Sequence, residues 1–173
     1  MQSVTILGST GSIGQSTLDV IALHPDRFRV EALTAHKNVA LLYRQCLQFN
    51  PRFAVISDAA LAEQLKTKLL EAKRTTEVLY GSDAISQLAG DSGSLIVVAG
   101  IVGAAGLLPT LAAIKAGKRV LLANKESLVM AADLLMQMVR LKMVILSLSI
   151  TRIPMKPPFE NFQLMVPINF YCR

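Results

Sequence analysis

Short apolar runs alternate with helix-patterned segments along most of this sequence, and that alternation leaves few folds open. Val4–Leu7 is an apolar run ending in Gly8, and Ser16–Leu23 reads as a helix stopped by His24 and Pro25. Phe28–Ala35 is a second strand. Val39–Phe49 carries Val39, Leu42, Cys46 and Leu47 at helical spacing and ends before Pro51. A third strand over Phe53–Ile56 precedes a helix over Ala59–Ala72, and a fourth, weaker strand over Glu77–Tyr80 precedes a short helix over Asp83–Leu88. The fifth unit pairs Leu95–Ala99 with a helix over Ala104–Ala116 closed by Gly117; the sixth pairs Arg119–Ala123 with Glu126–Val139. Six such units predict an α/β fold, a doubly wound, mostly parallel sheet with helices on both faces. Right-handed crossovers then bring every strand-to-helix turn to one end of the sheet, where binding groups collect.

Composition agrees with this reading. Hydrophobic residues make up 52% of the chain and charged residues 17%, which excludes disorder and suits strands covered on both faces. The net charge of +6 sits mostly at the end of the sequence. Residues 1–139 hold 13 basic and 11 acidic groups, whereas residues 140–173 hold Arg140, Lys142, Arg152, Lys156 and Arg173 against Glu160. No basic stripe interleaved with aromatics accompanies it, so no nucleic-acid partner is expected. Cys46 and Cys172 are too few and too far apart for a disulfide framework or a zinc site, and Cys46 falls on an apolar helical stripe. The first residues enter a strand without a basic leader, so a cytoplasmic protein is expected. The uncharged stretch from Ser92 to Ile114 has the length of a membrane span, but Gly93, Gly100, Gly103, Gly106 and Pro109 interrupt it, and a strand followed by a separate helix fits it better.

Gly8, Gly11 and Gly14 lie between the first strand and the first helix, the context that a dinucleotide-binding glycine turn requires. Gly8 suits a tight exit from the strand, Gly11 lets a pyrophosphate approach the backbone, and Gly14 permits close helix packing. The helix N-terminus then faces the phosphates. A plain turn built of small residues is the competing reading. The absence of a Lys after the glycines excludes a nucleoside-triphosphate P-loop. The end of strand two distinguishes the two nicotinamide dinucleotides. NAD sites place a carboxylate there for the ribose 2′-hydroxyl, but this sequence reads Ala35, His36, Lys37, Asn38, with Glu31 falling mid-strand. Lys37 attracts a 2′-phosphate and Asn38 can donate to it, so NADPH is expected over NADH; Lys37 as a solvated loop cation is the alternative. Asn124, Lys125, Glu126 and Ser127 open the helix after strand six at the same edge, with Asn124 a natural N-cap and Lys125 either facing an anionic substrate or solvated. The turn Gly103, Ala104, Ala105, Gly106 offers backbone near the cofactor, or serves packing alone.

With these residues in view, the sequence resembles the 1-deoxy-D-xylulose 5-phosphate reductoisomerases, NADPH-dependent enzymes of the non-mevalonate isoprenoid pathway. The matching stretches are Thr5 to Gly14, Ser16 to Val20, Lys37 and Asn38, Ile101 to Thr110, and Leu122 to Leu128, in order across residues 1 to about 138. The resemblance implies a Rossmann-type domain with cofactor contacts from Thr10, Gly11, Ser12, Ile13, Lys37, Asn38, Asn124 and Glu126, and a contact to a phosphorylated sugar from Lys125. His36 replaces the glycine more usual in the family. The family reaction converts 1-deoxy-D-xylulose 5-phosphate to 2-C-methyl-D-erythritol 4-phosphate in a homodimer that also needs Mg²⁺ or Mn²⁺. The family's metal site opens with a Val-Asp-Ser-Glu-type motif in a later domain, and nothing between Val139 and Arg173 matches it. Residues 1–138 are therefore expected to form the NADPH-binding domain. Residues 139–173 are expected to be a linker or a segment from a shifted reading frame. The chain by itself is expected to have no catalytic or metal-binding residues and no turnover. A stand-alone NADP-binding module and a fragment of another NADPH-dependent dehydrogenase are the alternatives.

Overall fold

The computed structural model describes residues 1–90 and 93–123 together with the backbone of 146–148. In chain order the elements are β1 (Gln2–Leu7), α1 (Ser12–Leu23), β2 (Phe28–Thr34), α2 (Val39–Phe49), β3 (Phe53–Ile56), α3 (Ala59–Glu71), β4 (Glu77–Tyr80), α4 (Gly81–Gly90) and β5 (Ile96–Ala99). A 3₁₀ turn (Ala104–Gly106), α5 (Leu107–Lys115), β6 (Arg119–Leu122) and β7 (Leu146–Leu148) complete them. The strands form one sheet in the order β4-β3-β2-β1-β5-β6-β7, and every pairing is parallel. β7 pairs with β6 through Val120 opposite Leu146 and Leu122 opposite Leu148, so the sheet extends past residue 138.

Alternation along each strand sends side chains to two separate cores. Val4, Ile6, Leu33, Ala54, Ile56, Ile96 and Val98 meet Leu18 of α1, Leu42 and Cys46 of α2, and Leu65 and Leu69 of α3 on one face. Leu7, Val97, Ala99, Val120 and Leu122 meet Ala89 of α4 and Ala113 and Ile114 of α5 on the other. Helices α1 to α3 thus cover one face and α4 and α5 the opposite one. The winding direction reverses between β1 and β5, which are neighbours in the sheet. Such a reversal opens a crevice at the carboxyl ends of the two strands.

Two helices in particular differ from the sequence expectation. α1 begins at Ser12 rather than Ser16, because Gly11 adopts an extended N-cap conformation (φ −78°, ψ 169°) and its carbonyl accepts from Gln15 N at 2.9 Å. The expected Ala104–Ala116 helix is divided into the 3₁₀ turn and α5, whose first turn holds Pro109, a place where a missing N–H costs nothing. Gly117 closes α5 as expected, with Gly117 N donating to Ile114 O and Lys118 N to Ala113 O, the paired bonds of a Schellman end. The Ser92–Ile114 stretch contains β5 and most of α5, and among the described residues no helix is long and apolar enough to cross a membrane. The helix expected over Glu126–Val139 lies outside the described residues.

Cys46 is fully buried, and burial pushes its thiol up to about 12. Because the folded state holds the proton more tightly than the unfolded chain, the linked stability is present below pH 9 and is lost as pH rises from there toward 12. In a Cys172→Ser variant, DTNB at pH 8 is expected to label Cys46 at least ~100-fold more slowly than a free thiol. Guanidinium should abolish that protection. Rapid native labelling would contradict the packing.

Candidate functional site

Five strand exits lie side by side at the carboxyl edge. Gly100 N donates to Leu7 O at 2.9 Å, Ala123 N to Ala99 O at 3.1 Å, and Ser57 N to His36 O at 3.1 Å, so the sheet ends almost level across β3, β2, β1, β5 and β6. The glycine turn occupies the exit of β1, beside the reversal of winding. Gly8 sits at φ +83°, and a Cβ there would lie 3.1 Å from Gly100 C and O. Positive φ and crowding by the neighbouring strand end together require glycine. Gly14 is more constrained still: a Cβ would fall 2.4 Å from Gly8 O and from Ser9 Cα. This glycine seats α1 against the turn itself, one layer above the sheet. A Cβ on Gly11, in contrast, would meet only Gly8 O at 3.4 Å, an ordinary contact. Among the described residues none demands a glycine at position 11, and Gly11 is exposed beside the reversal of winding.

The expected phosphate-facing residues follow in order. Thr10 is half-buried, and Gly11, Ser12 and Ile13 are exposed, Ile13 by 41%. Gly11 offers no side-chain cap, so the first-turn amides of α1, which have no carbonyl one turn back, point toward solvent at the positive end of the helix. Such an end is built to receive an anion.

At the neighbouring exit, Lys37 is exposed and, among the described residues, forms no ion pair. Asn38 caps α2, its Oδ1 accepting from Leu41 N at 3.0 Å, which leaves its side-chain amide N–H groups as donors. The carboxylate of Glu31 is withdrawn from this edge. Val30 pairs with Val4 and Ala32 with Thr5, so Glu31 is a bulge residue, buried and held 3.1 Å from Arg29 Nη2 and 3.8 Å from Arg52 Nη1. At the exit of β3, Asp58 caps α3 by accepting from Leu61 N at 3.0 Å. The β2 exit therefore presents a cation, an amide and a helix N-terminus, with no ion pair to Lys37 among the described residues.

Two residues that hold this arrangement, Thr34 and Gln45, were not singled out from the sequence. Thr34, the last residue of β2, accepts from Gly8 N through Oγ1 at 2.9 Å and from Ser9 N through its carbonyl at 2.7 Å. Ser9 Oγ donates to Gln45 Oε1 at 2.7 Å, and Gln45 Nε2 donates back to Ser9 O at 2.9 Å. The available signal was Gln45 itself, a polar residue three positions from Leu42 on the apolar stripe of α2. The Gly103–Gly106 turn follows β5, with Gly103 at φ +72°, where an added Cβ would meet nothing within 4 Å among the described residues. Asn124, Lys125 and Glu126 lie outside the described residues. Among the described residues no group of three or more His, Cys, Asp and Glu side chains is placed to hold a metal ion.

Comparison with known proteins agrees with this geometry. The family model for 1-deoxy-D-xylulose 5-phosphate reductoisomerase matches residues 4–132. The reductoisomerase of Cellvibrio japonicus is 59% identical over 138 residues, covering 80% of this chain and 35% of that protein. The solved reductoisomerase of Zymomonas mobilis in complex with NADPH is 46% identical with a TM-score of 0.80, covering 85% of this chain and 38% of the other. A DOX-P reductoisomerase solved with NADPH, fosmidomycin and magnesium is 44% identical with a TM-score of 0.82, over 86% of this chain and 36% of that one. The chain spans about a third of the length of the curated relatives it matches. With the family match running through the glycine turn, the Lys37 exit and the strands that place them, the chain belongs to the 1-deoxy-D-xylulose 5-phosphate reductoisomerase family.

Proposed function

We propose that this chain is the NADPH-binding part of a reductoisomerase that converts 1-deoxy-D-xylulose 5-phosphate to 2-C-methyl-D-erythritol 4-phosphate. The observation that carries the reading is the uncapped, glycine-seated N-terminus of α1 beside a β2 exit bearing Lys37, which forms no ion pair among the described residues. In this reading Thr10, Gly11, Ser12 and Ile13 receive the pyrophosphate through the turn and the first-turn amides. Lys37 and Asn38 receive the adenosine 2′-phosphate. Asn124 and Glu126 add cofactor contacts, and Lys125 meets the phosphate of the sugar substrate. The bound dinucleotide supplies the hydride; the protein holds its phosphates and fixes its place in the crevice.

Residues 1–138 carry the cofactor contacts of the binding domain in this proposal, supported by a family match that ends at residue 132 and by relatives aligned over 138 residues, and β7 adds a strand to the same sheet. The described residues do not fit a divalent metal site, so no step is assigned to one here. Mg²⁺ or Mn²⁺ chemistry and the rearrangement of the ketose belong to the remainder of a full-length, homodimeric, cytoplasmic enzyme.

The test is a fluorescence titration of the 173-residue chain with NADPH and NADH, followed by a turnover assay with substrate and Mn²⁺. NADPH should bind at least ~10-fold more tightly than NADH, the difference that one charge-assisted contact provides. No NADPH oxidation should follow. Equal affinities would sink the cofactor assignment, and measurable turnover would sink the claim that this chain is catalytically incomplete.

A further inference from the structure

The buried pair Ser9 and Gln45 joins two parts of the site that belong to different βα units. Ser9 lies within the glycine turn and is fully buried; Gln45 lies on α2 and is 5% exposed. All three polar groups of Ser9 are engaged: its N–H with Thr34 O, its hydroxyl with Gln45 Oε1 and its carbonyl with Gln45 Nε2. The two Gln45 bonds run in opposite senses, so the side-chain amide has only one orientation that satisfies both. Packing alone does not call for this. Leu42 and Cys46 flank Gln45 on the apolar face of α2, and a leucine would fill the position without the cost of burying an amide. What the polar pair adds is direction: it fixes the turn against α2 at one distance and one angle.

Both ends of this connection reach phosphate-facing groups. Ser9 leads directly into Thr10, Gly11, Ser12 and Ile13. Gln45 stands seven positions after Asn38, about two turns into the helix whose N-terminus carries Lys37 and Asn38. A ligand that spans the two exits gains from both contacts only if their spacing is already correct; otherwise ordering them consumes part of the binding energy. Resting on the NADPH reading above, we propose that Gln45 is a positioning residue that holds the pyrophosphate turn and the 2′-phosphate end of α2 at the spacing NADPH requires.

The experiment compares NADPH with adenosine 2′-monophosphate, which engages the α2 end alone, on the wild-type chain and on Gln45→Met, Ser9→Ala and the double variant. Methionine keeps the length and bulk of glutamine without its two hydrogen bonds. Gln45→Met should weaken NADPH binding about tenfold, while adenosine 2′-monophosphate, followed by NMR shifts, stays within roughly twofold. Ser9→Ala should weaken NADPH less, and the double variant should lose no more than Gln45→Met, because both changes remove the same connection. Circular dichroism establishes that each variant is folded; if Gln45→Met is not, Ser9→Ala against the two ligands decides the matter. Folded variants that bind NADPH like wild type overturn the proposal, as does parallel loss of both ligands, which would mark a general structural role. A wild-type chain that binds no NADPH overturns the functional reading itself, and that result is seen before any variant is made.

Discussion

Gly14→Ala is expected to destabilise the protein by about 3 kcal/mol and to remove measurable NADPH binding. In an ordinary helix the same change stabilises by up to about 1 kcal/mol, because alanine loses less backbone entropy than glycine. Here the added Cβ falls 2.4 Å from Gly8 O and from Ser9 Cα, and 2.6 Å from Ser9 C. All three are backbone atoms, and Ser9 is held in place by Thr34 and Gln45. Relief requires α1 to move away from the turn or the turn to break its hydrogen bonds, and the cost of such overpacking exceeds the helix gain. The melting temperature should fall by roughly 6 to 12 °C for a domain of this size. Gly11→Ala is the control. Its Cβ meets ordinary contact at 3.4 Å, so it should melt within a few degrees of wild type and yet bind NADPH at least ~10-fold more weakly, since only the ligand needs that space. If Gly14→Ala melts like wild type, the seating of α1 is wrong. If Gly11→Ala binds NADPH normally, the pyrophosphate does not approach the backbone at that residue.

These two glycines also mark how far the sequence could be read. The order and type of the elements from β1 to β6 were legible because strands such as Phe53–Ile56 and helices such as Val39–Phe49 carry strong apolar patterns bounded by Gly, Asn or Pro, whereas β7 lies in a stretch that was expected to be a linker. The first turn of α1 was not legible, because Ser12, Ile13 and Gly14 have neither helical patterning nor strong helix propensity, and Gln15 alone does not offset them. That turn exists through the Gly11 cap and the packing of Gly14, both set by tertiary contact. The division of the segment after Gly103 escaped detection for a similar reason: small residues fit a 3₁₀ turn and an α-helix equally well. At the site, Lys37 and the glycines were visible as residue types in a strand-to-helix context. Their supports were not. Thr34 looks like any strand threonine, and Gln45 like a surface glutamine, until the fold brings both to Ser9 across 25 residues or more. Glu31 is the converse case. Its mid-strand position was legible, but the bulge that buries it between Arg29 and Arg52 appears only once β1 and β2 pair out of register.

Lys37→Glu is expected to invert the dinucleotide preference. The adenosine 2′-phosphate carries nearly two negative charges at neutral pH, and in the proposed pose it meets the ammonium of Lys37 beside the N-terminus of α2. A hydrogen bond to a charged partner contributes about 1.5–3 kcal/mol, so Lys37→Ala alone should weaken NADPH binding about 10- to 100-fold while leaving NADH nearly unchanged. Glutamate goes further, because it places a carboxylate against the phosphate and restores the acceptor that NAD sites use for the ribose 2′-hydroxyl. NADPH affinity should then fall ~100-fold or more, and NADH should become the tighter ligand. Because Lys37 is exposed, part of the effect is screened. Raising the ionic strength from 0.01 M to 1 M shortens the Debye length from about 30 Å to about 3 Å and should compress the wild-type preference without abolishing it. Stability should not change, since Lys37 forms no ion pair among the described residues and the α2 cap belongs to Asn38. Paired titrations of wild type and both variants with NADPH and NADH, at low and high salt, measure all of this. A Lys37→Glu protein that keeps the wild-type ratio of affinities would show that the 2′-phosphate is recognised elsewhere, and the β2 exit would lose its assigned role.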